Sequence, residues 1–341
     1  ISSDIRQIAL MIILMRAGLN LKISDLKKVG PSALLMCFVP ASFEIIGLMI
    51  LAPIFLHLDL LNAAILGTVL AAVSPAVVVP LMLKLMDEGY GTREGIPQLI
   101  MAGASMDDVY VIVLFTSLLT LAKSGEFNAL SLLRIPTSIL FGIISGIVLG
   151  YVLCKLYRLL KLSTGIELAC MFAIGMVLIT IERMMTGVVG FSGLLAIMAM
   201  TAAIRHIKPE MADTYSAVLA KLWQPAEIFL FALVGASVRI DYAVSFGPVV
   251  LIVIILALLF RMLGVYLSVM KTKFNMKEKI FTMIAYIPKA TVQAAIGGLA
   301  LEAGLASGEL ILTAAVTAIL VTAPLGAIFI SLTYRNFLQK A

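Results

Sequence analysis

Met101-Ala102-Gly103-Ala104-Ser105-Met106-Asp107-Asp108-Val109 places two adjacent carboxylates near the middle of a run that carries no other charge from Leu99 to Leu121. Ionisable groups at membrane depth are costly and mark ion paths or proton relays. The rest of the chain suits that setting. It is 62% hydrophobic and 13% charged, about half the charged fraction of an average soluble domain. Apolar runs cover 5–19, 31–56, 60–86, 97–122, 134–155, 164–182, 187–204, 217–239, 242–270, 280–303 and 308–334. Most are near the ~20 residues that cross a bilayer as a helix, and far longer than barrel strands. The expectation is an all-α polytopic membrane protein with about eleven transmembrane helices.

The basic residues set its orientation. Alternate connections, starting after the first run, hold Lys22, Lys27, Lys28, Lys84, Arg93, Lys155, Arg158 and Lys161. The same set continues through Arg205, Lys208, Lys271, Lys273, Lys277 and Lys279 to Arg335 and Lys340. The opposite connections hold Lys123, Arg134, Arg183 and Arg239. Lys and Arg concentrate on the cytoplasmic side, so the C-terminus is expected there. The net charge of +6 is thus spent on topology. Its scatter over loops, without interleaved aromatics, excludes a nucleic-acid surface. Cys37, Cys154 and Cys170 lack metal-ligand spacing and read as buried packing residues. His57 and His206 sit at run ends and read as interfacial. The chain begins at Ile1, so upstream residues are expected.

The sequence repeats itself. Leu14 to Ile23 matches Phe231 to Ile240, with Gly18 and Gly235 217 positions apart. The same offset carries Glu44 to Arg261 and Asp107 to Pro324, and a shift of 213 carries Ser74-Pro75 to Ile287-Pro288. A displacement of seven helices is odd, so the two copies are inverted. Inverted repeats with interrupted helices form a transporter architecture.

The third run is interrupted at Val73-Ser74-Pro75, and the tenth at Tyr286-Ile287-Pro288-Lys289-Ala290-Thr291. Proline removes a backbone donor and disturbs the carbonyl four residues earlier. Within a bilayer the freed groups must face protein or a wet cavity. Ser74, Pro75, Pro288 and Thr291 therefore mark two discontinuous helices whose half-helix ends carry partial charge. Lys289 is placed to offset the exposed carbonyl ends. Elsewhere, Gly142, Gly146 and Gly150 form a small-residue stripe for close helix approach, its partner open; Gly187, Gly190 and Gly193 are similar.

Five ionisable residues lie deep in apolar runs: Glu44, Asp107, Asp108, Arg261 and Lys289. Three acids and two bases leave one negative charge, which suits one monovalent cation or one proton. Asp107 and Asp108 point ~100° apart on a helix, so one faces a cation cavity and the other a basic side chain. Glu44 and Arg261 occupy equivalent repeat positions and are natural partners, with Asp107 competing for Arg261. A carboxylate that holds H⁺ or Na⁺, but not both, is sufficient for exchange if it faces each side in turn.

Ser74-Pro75-Ala76-Val77-Val78-Val79-Pro80, Ser105-Met106-Asp107-Asp108 and Pro288-Lys289-Ala290-Thr291-Val292-Gln293-Ala294-Ala295 resemble the NHA branch of the second cation:proton antiporter family. That branch includes the animal mitochondrial-type sodium/hydrogen exchangers and bacterial relatives. Ile8-Ala9-Leu10 and Arg16-Ala17-Gly18-Leu19 are also similar. The resemblance implies Na⁺ or Li⁺ exchange for H⁺ in pH homeostasis, an inverted-repeat antiporter fold with two crossed discontinuous helices, and a homodimer in a bacterial inner membrane. It implies no cofactor and no enzymatic activity. It names Asp108 as main cation and proton carrier, supported by Asp107, with Ser74 beside the ion. Arg261, Lys289 and Glu44 become charge partners. Residues 31–122 and 242–334 would form an ion-transport core, 1–30 and 164–241 a dimerisation scaffold, and 134–163 a linker; the core would move like an elevator. The sequence departs from many relatives at the first break, where Ser74 replaces an aspartate, and at Arg261, where lysine is frequent and arginine does not deprotonate.

Three other readings fit less well. A sodium-coupled organic-anion symporter needs more Asn, Gln and Glu near the breaks. A gated cation channel needs no proton coupling. An intramembrane hydrolase needs a Gly-x-Gly-Asp segment, a zinc set or a Ser/His pair.

Overall fold

The structure is a computed structural model that describes residues 2–20, 31–123, 129–160, 162–185, 191–236 and 240–340. Among these residues there are helices and no strands, with one isolated bridge between Tyr90 and Lys340. The helices are α1 (Ser2–Leu19), α2 (Pro31–Met36), α3 (Val39–Leu56), α4 (Leu60–Leu70) and α5 (Pro75–Asp87). They continue as α6 (Ile96–Lys123), α7 (Ala129–Leu160), α8 (Thr164–Met185), α9 (Gly193–Ile207) and α10 (Pro209–Ala236). The last are α11 (Ile240–Val269), α12 (Met276–Ala285), α13 (Thr291–Ile296), α14 (Leu299–Glu302) and α15 (Gly308–Phe337). Lys22, Lys27, Lys28, Lys161, Arg239, Gly187 and Gly190 lie outside the described residues.

Eight spans among the described residues are long and apolar enough to cross a membrane, and two shorter apolar helices, Gln7–Leu19 and Gly193–Ile207, accompany them. The expected tenth run is divided by its break into α12, α13 and α14. Burial follows helical stripes. On α3, Ile45, Leu48 and Ala52 are buried while Ile46, Ile50 and Ile54 are exposed. An outward stripe of large apolar side chains is what lipid contact requires, and this is an integral membrane protein.

Contacts divide the chain into two compact units. One comprises Ile1–Lys22 and Ile112–Leu233. Within it α9 packs against α1, α7 and α8. The glycine stripe finds its partner here: Gly142, Gly146 and Gly150 of α7 abut the backbone of α9, and a Cβ at Gly146 would overlap Ala196 O and meet Ala199 Cβ at 2.7 Å. Gly146→Val is therefore expected to lower thermal stability by about 1–3 kcal/mol, the usual cost of overpacking. Gly165→Ala, where an added Cβ meets nothing within 4 Å, should leave the melting midpoint unchanged. Arg205 closes the end of α1, donating through Nε to Leu19 O and through Nη1 to Pro209 O at 3.1 Å, and pairs with Asp213 at 2.7 Å. Arg16 stacks over Trp223 at 5.9 Å.

The second unit comprises Ile23–Val111 and Val234–Ala341. Here α11 packs along α3, and α15 contacts α4, α5, α11, α12 and α13. The two interrupted helices are built alike. Asp59 caps α4 by accepting from Asn62 N at 3.0 Å. Asn275 caps α12 through a reciprocal box with Glu278, at 3.0 and 2.8 Å. These caps satisfy the first free N–H groups of each half-helix. They lie 216 positions apart, within one residue of the offset read from the glycines. Each half-helix then ends at its break, and Pro75 opens α5 at a position where no N–H is needed. The breaks meet directly: Ser74 N donates to Pro288 O at 2.8 Å.

His57 takes a left-handed conformation as the C-cap of α3, and His206 is exposed in the last turn of α9. Cys37, Cys154 and Cys170 are free thiols, the first two buried.

Candidate ion-binding site

The second unit gathers the five intramembrane charges. Arg261 reaches from α11 and is 1% exposed. Its Nη1 donates to Glu44 Oε2 at 2.9 Å, its Nη2 to Asp107 Oδ2 at 2.7 Å, and its Nε to Tyr286 O at 2.8 Å. Arg261 pairs with both candidate acids, because the guanidinium fork spans the two. Lys289 Nζ lies 2.7 Å from Glu44 Oε1 and 2.8 Å from Oε2. Glu44 thus sits between two cations, and Asp107 is held by one. Buried ions of this kind are tolerable only when paired and hydrogen-bonded.

Backbone groups freed by the breaks complete the network. The carbonyls at the end of α4 and in the break just after it each receive a side-chain donor: Leu70 O from Lys289 Nζ, Ala71 O from Arg261 Nη1, and Ala72 O from Gln293 Nε2 at 2.9 Å. Cations suit this negative end of the half-helix dipole. On the other side of the break, Val73 N donates to Asp107 Oδ2 at 2.9 Å. In the second break, Lys289 N donates to Thr322 Oγ1 at 3.0 Å. Thr291, 7% exposed, begins α13.

Asp108 stands apart from this network. It is 8% exposed, against 0% for Asp107, Glu44 and Lys289. Asp108 Oδ1, Asp107 Oδ1 and Ser74 Oγ are buried and have no hydrogen-bond partner among the described residues. A buried carboxylate oxygen left in this way is expensive and suits a proton or a small cation. Oxygen-only donors of this kind fit a hard alkali cation as cargo. Among the described residues, no group of three or more His, Cys, Asp or Glu is placed to hold a metal ion.

Gln293, Tyr286 and Thr322 join the site without being conspicuous in the sequence. Gln293 and Thr322 are polar residues in apolar runs, which marks them as candidates in a membrane chain without showing what they contact. Tyr286 is 1% exposed and lies under Arg261, its ring centroid 5.4 Å from the guanidinium carbon. Its hydroxyl occupies the space where Gly103 of α6 lacks a side chain.

The family model of the transmembrane sodium/hydrogen exchangers matches residues 1–335. The chain belongs to the sodium/hydrogen exchanger family. Sodium/hydrogen exchanger 9B2 of Homo sapiens is 36% identical over 355 residues, covering 99% of this chain and 65% of the relative. Sodium/hydrogen exchanger 9B1 of Homo sapiens is 34% identical over 354 residues, covering 99% and 67%. The chain therefore spans about two thirds of the length of these exchanger relatives. The sodium proton antiporter MjNhaP1 of Methanocaldococcus jannaschii superposes with a TM-score of 0.80 at 18% identity, covering 99% of this chain and 88% of that one. That likeness establishes the antiporter fold. The family's members are, by name, exchangers, which is to say transporters.

Proposed function

We propose that the chain exchanges Na⁺ or Li⁺ for H⁺ across a membrane, with cation and proton competing for Asp108. The observation that carries this reading is the division of labour between adjacent acids. Asp107 pairs with Arg261 and accepts a hydrogen bond from Val73 N, while Asp108 Oδ1 is buried without a partner among the described residues. Glu44, Asp107 and Asp108 set against Arg261 and Lys289 leave one negative charge, which one monovalent ion balances. Asp107 Oδ1 and Ser74 Oγ are further oxygens for that ion.

Competition for one site produces exchange only if the site opens to each side in turn. We assign that motion to an elevator-like displacement of the core, residues 31–122 and 242–334, against a scaffold of 1–30 and 164–241, with 134–163 as a linker. The hydrogen bonds and ion pairs that tie both breaks together support movement of the charged cluster as a body. The Lys and Arg bias supports a cytoplasmic C-terminus. The resemblance of the sequence motifs supports a homodimer, and a bacterial inner membrane is the location we propose for it. The test is proton efflux from acid-loaded proteoliposomes on external addition of Na⁺, Li⁺ or K⁺. Efflux with Na⁺ or Li⁺ supports the reading; a folded protein that gives none, in a form that includes any preceding residues, overturns it.

A further inference from the structure

We infer that Gln293 is a positioning residue for cation binding, acting on Asp107 through the Ala72–Val73 peptide. The inference rests on the exchange reading above. Three side chains cap the end of α4, and two of them, Lys289 and Arg261, are cations already required by Glu44 and Asp107. Gln293 is neutral, 0% exposed, and cancels no charge. Its amide nitrogen lies 2.9 Å from Ala72 O and 3.5 Å from Leu70 O. An amide oxygen in that place would meet two acceptors, so the nitrogen is the atom that faces them.

The carbonyl that Gln293 holds belongs to the same peptide unit as Val73 N, and Val73 N donates to Asp107 Oδ2 at 2.9 Å. In a trans peptide the C=O and N–H point in opposite directions. Fixing one fixes the other, and a hydrogen bond accepted at the oxygen strengthens the one donated by the nitrogen. The chain runs from Gln293 Nε2–H to Ala72 C=O, then from Val73 N–H to Asp107 Oδ2. With Arg261 Nη2 on the same oxygen at 2.7 Å, Asp107 is locked by Oδ2. Its Oδ1 is left as the oxygen without a partner among the described residues. Gln293 thus sets which oxygen of Asp107 is offered to the ion, from a helix on the far side of the break.

The test compares initial exchange rates over a Na⁺ series for the parent and Gln293→Met in proteoliposomes, with melting midpoints in detergent. The half-saturating Na⁺ concentration is expected to rise about tenfold, the upper range for loss of one neutral hydrogen bond. The maximal rate should stay within about threefold, since binding rather than turnover is disturbed. A lower midpoint and lower maximal rate with an unchanged half-saturating concentration would make Gln293 a structural tie only and overturn the inference. Should Gln293→Met not fold, Gln293→Asn keeps an amide but withdraws it from Ala72 by one methylene, and the same rise is expected. A parent without a Na⁺ response overturns the exchange reading, and this inference with it. A responding parent whose half-saturating concentration is unmoved in the variant overturns the inference alone.

Discussion

Asp108→Asn is expected to abolish Na⁺-driven proton efflux while leaving the protein folded. The amide has the size of the carboxylate, but neither binds a proton nor carries the charge that holds a cation. Losing a charged ligand in a buried site costs on the order of 3 kcal/mol or more, which corresponds to at least about a hundredfold loss in occupancy. Stability should move the other way or stay level. Asp108 lies outside the ion-pair network, and Oδ1 is buried without a partner among the described residues, so the substitution removes an uncompensated charge. Proteoliposome efflux and a thermal melt on the same preparation check both halves. Asn at position 107 should behave differently, because it weakens a pair with Arg261 that the fold uses.

Arg261→Met carries the second large effect, and here it falls on stability. The guanidinium joins α3, α6, the end of α4 and the second break through Glu44, Asp107, Ala71 O and Tyr286 O. Methionine fills part of the volume but leaves Asp107 buried with Val73 N as its remaining donor. Breaking a buried pair from one side costs about 3–5 kcal/mol, a large part of the ~5–15 kcal/mol that holds a domain together. The expected result is little or no monodisperse protein by size exclusion, or a midpoint lowered by many degrees. Arg261→Lys keeps the charge but presents a compact ammonium instead of a planar fork. It should satisfy one acid and melt between the parent and Arg261→Met.

Much of this site is legible in the sequence, because the bilayer punishes exceptions. The prolines at 75 and 288 and the charges at 44, 107, 108, 261 and 289 are conspicuous in apolar runs. The offset that maps Glu44 onto Arg261 reads out a real contact, since pseudo-symmetric positions meet near a shared axis. The number of partners that one side chain has is not legible in this way. Whether Arg261 takes Glu44 or Asp107 depends on the reach of a fork across two helices, and it takes both. The capping of Leu70, Ala71 and Ala72 depends on where a helix stops and which carbonyls then point outwards. Its charge points Lys289 to that role. Nothing similar points to Gln293, because a single neutral amide in an apolar helix gives no sign of its target. The partner of the Gly142–Gly146–Gly150 stripe is likewise open in the sequence: small residues permit an approach without naming what approaches.

The proposed exchange turns on one carboxylate being shared by two ions. The most direct measurement is proton release from purified protein in weakly buffered detergent when Na⁺ is added near neutral pH. Shared occupancy of Asp108 predicts a saturable release that is absent from Asp108→Asn, with K⁺ and choline as ionic-strength controls. No release from folded parent protein, or an undiminished release from Asp108→Asn, would contradict it.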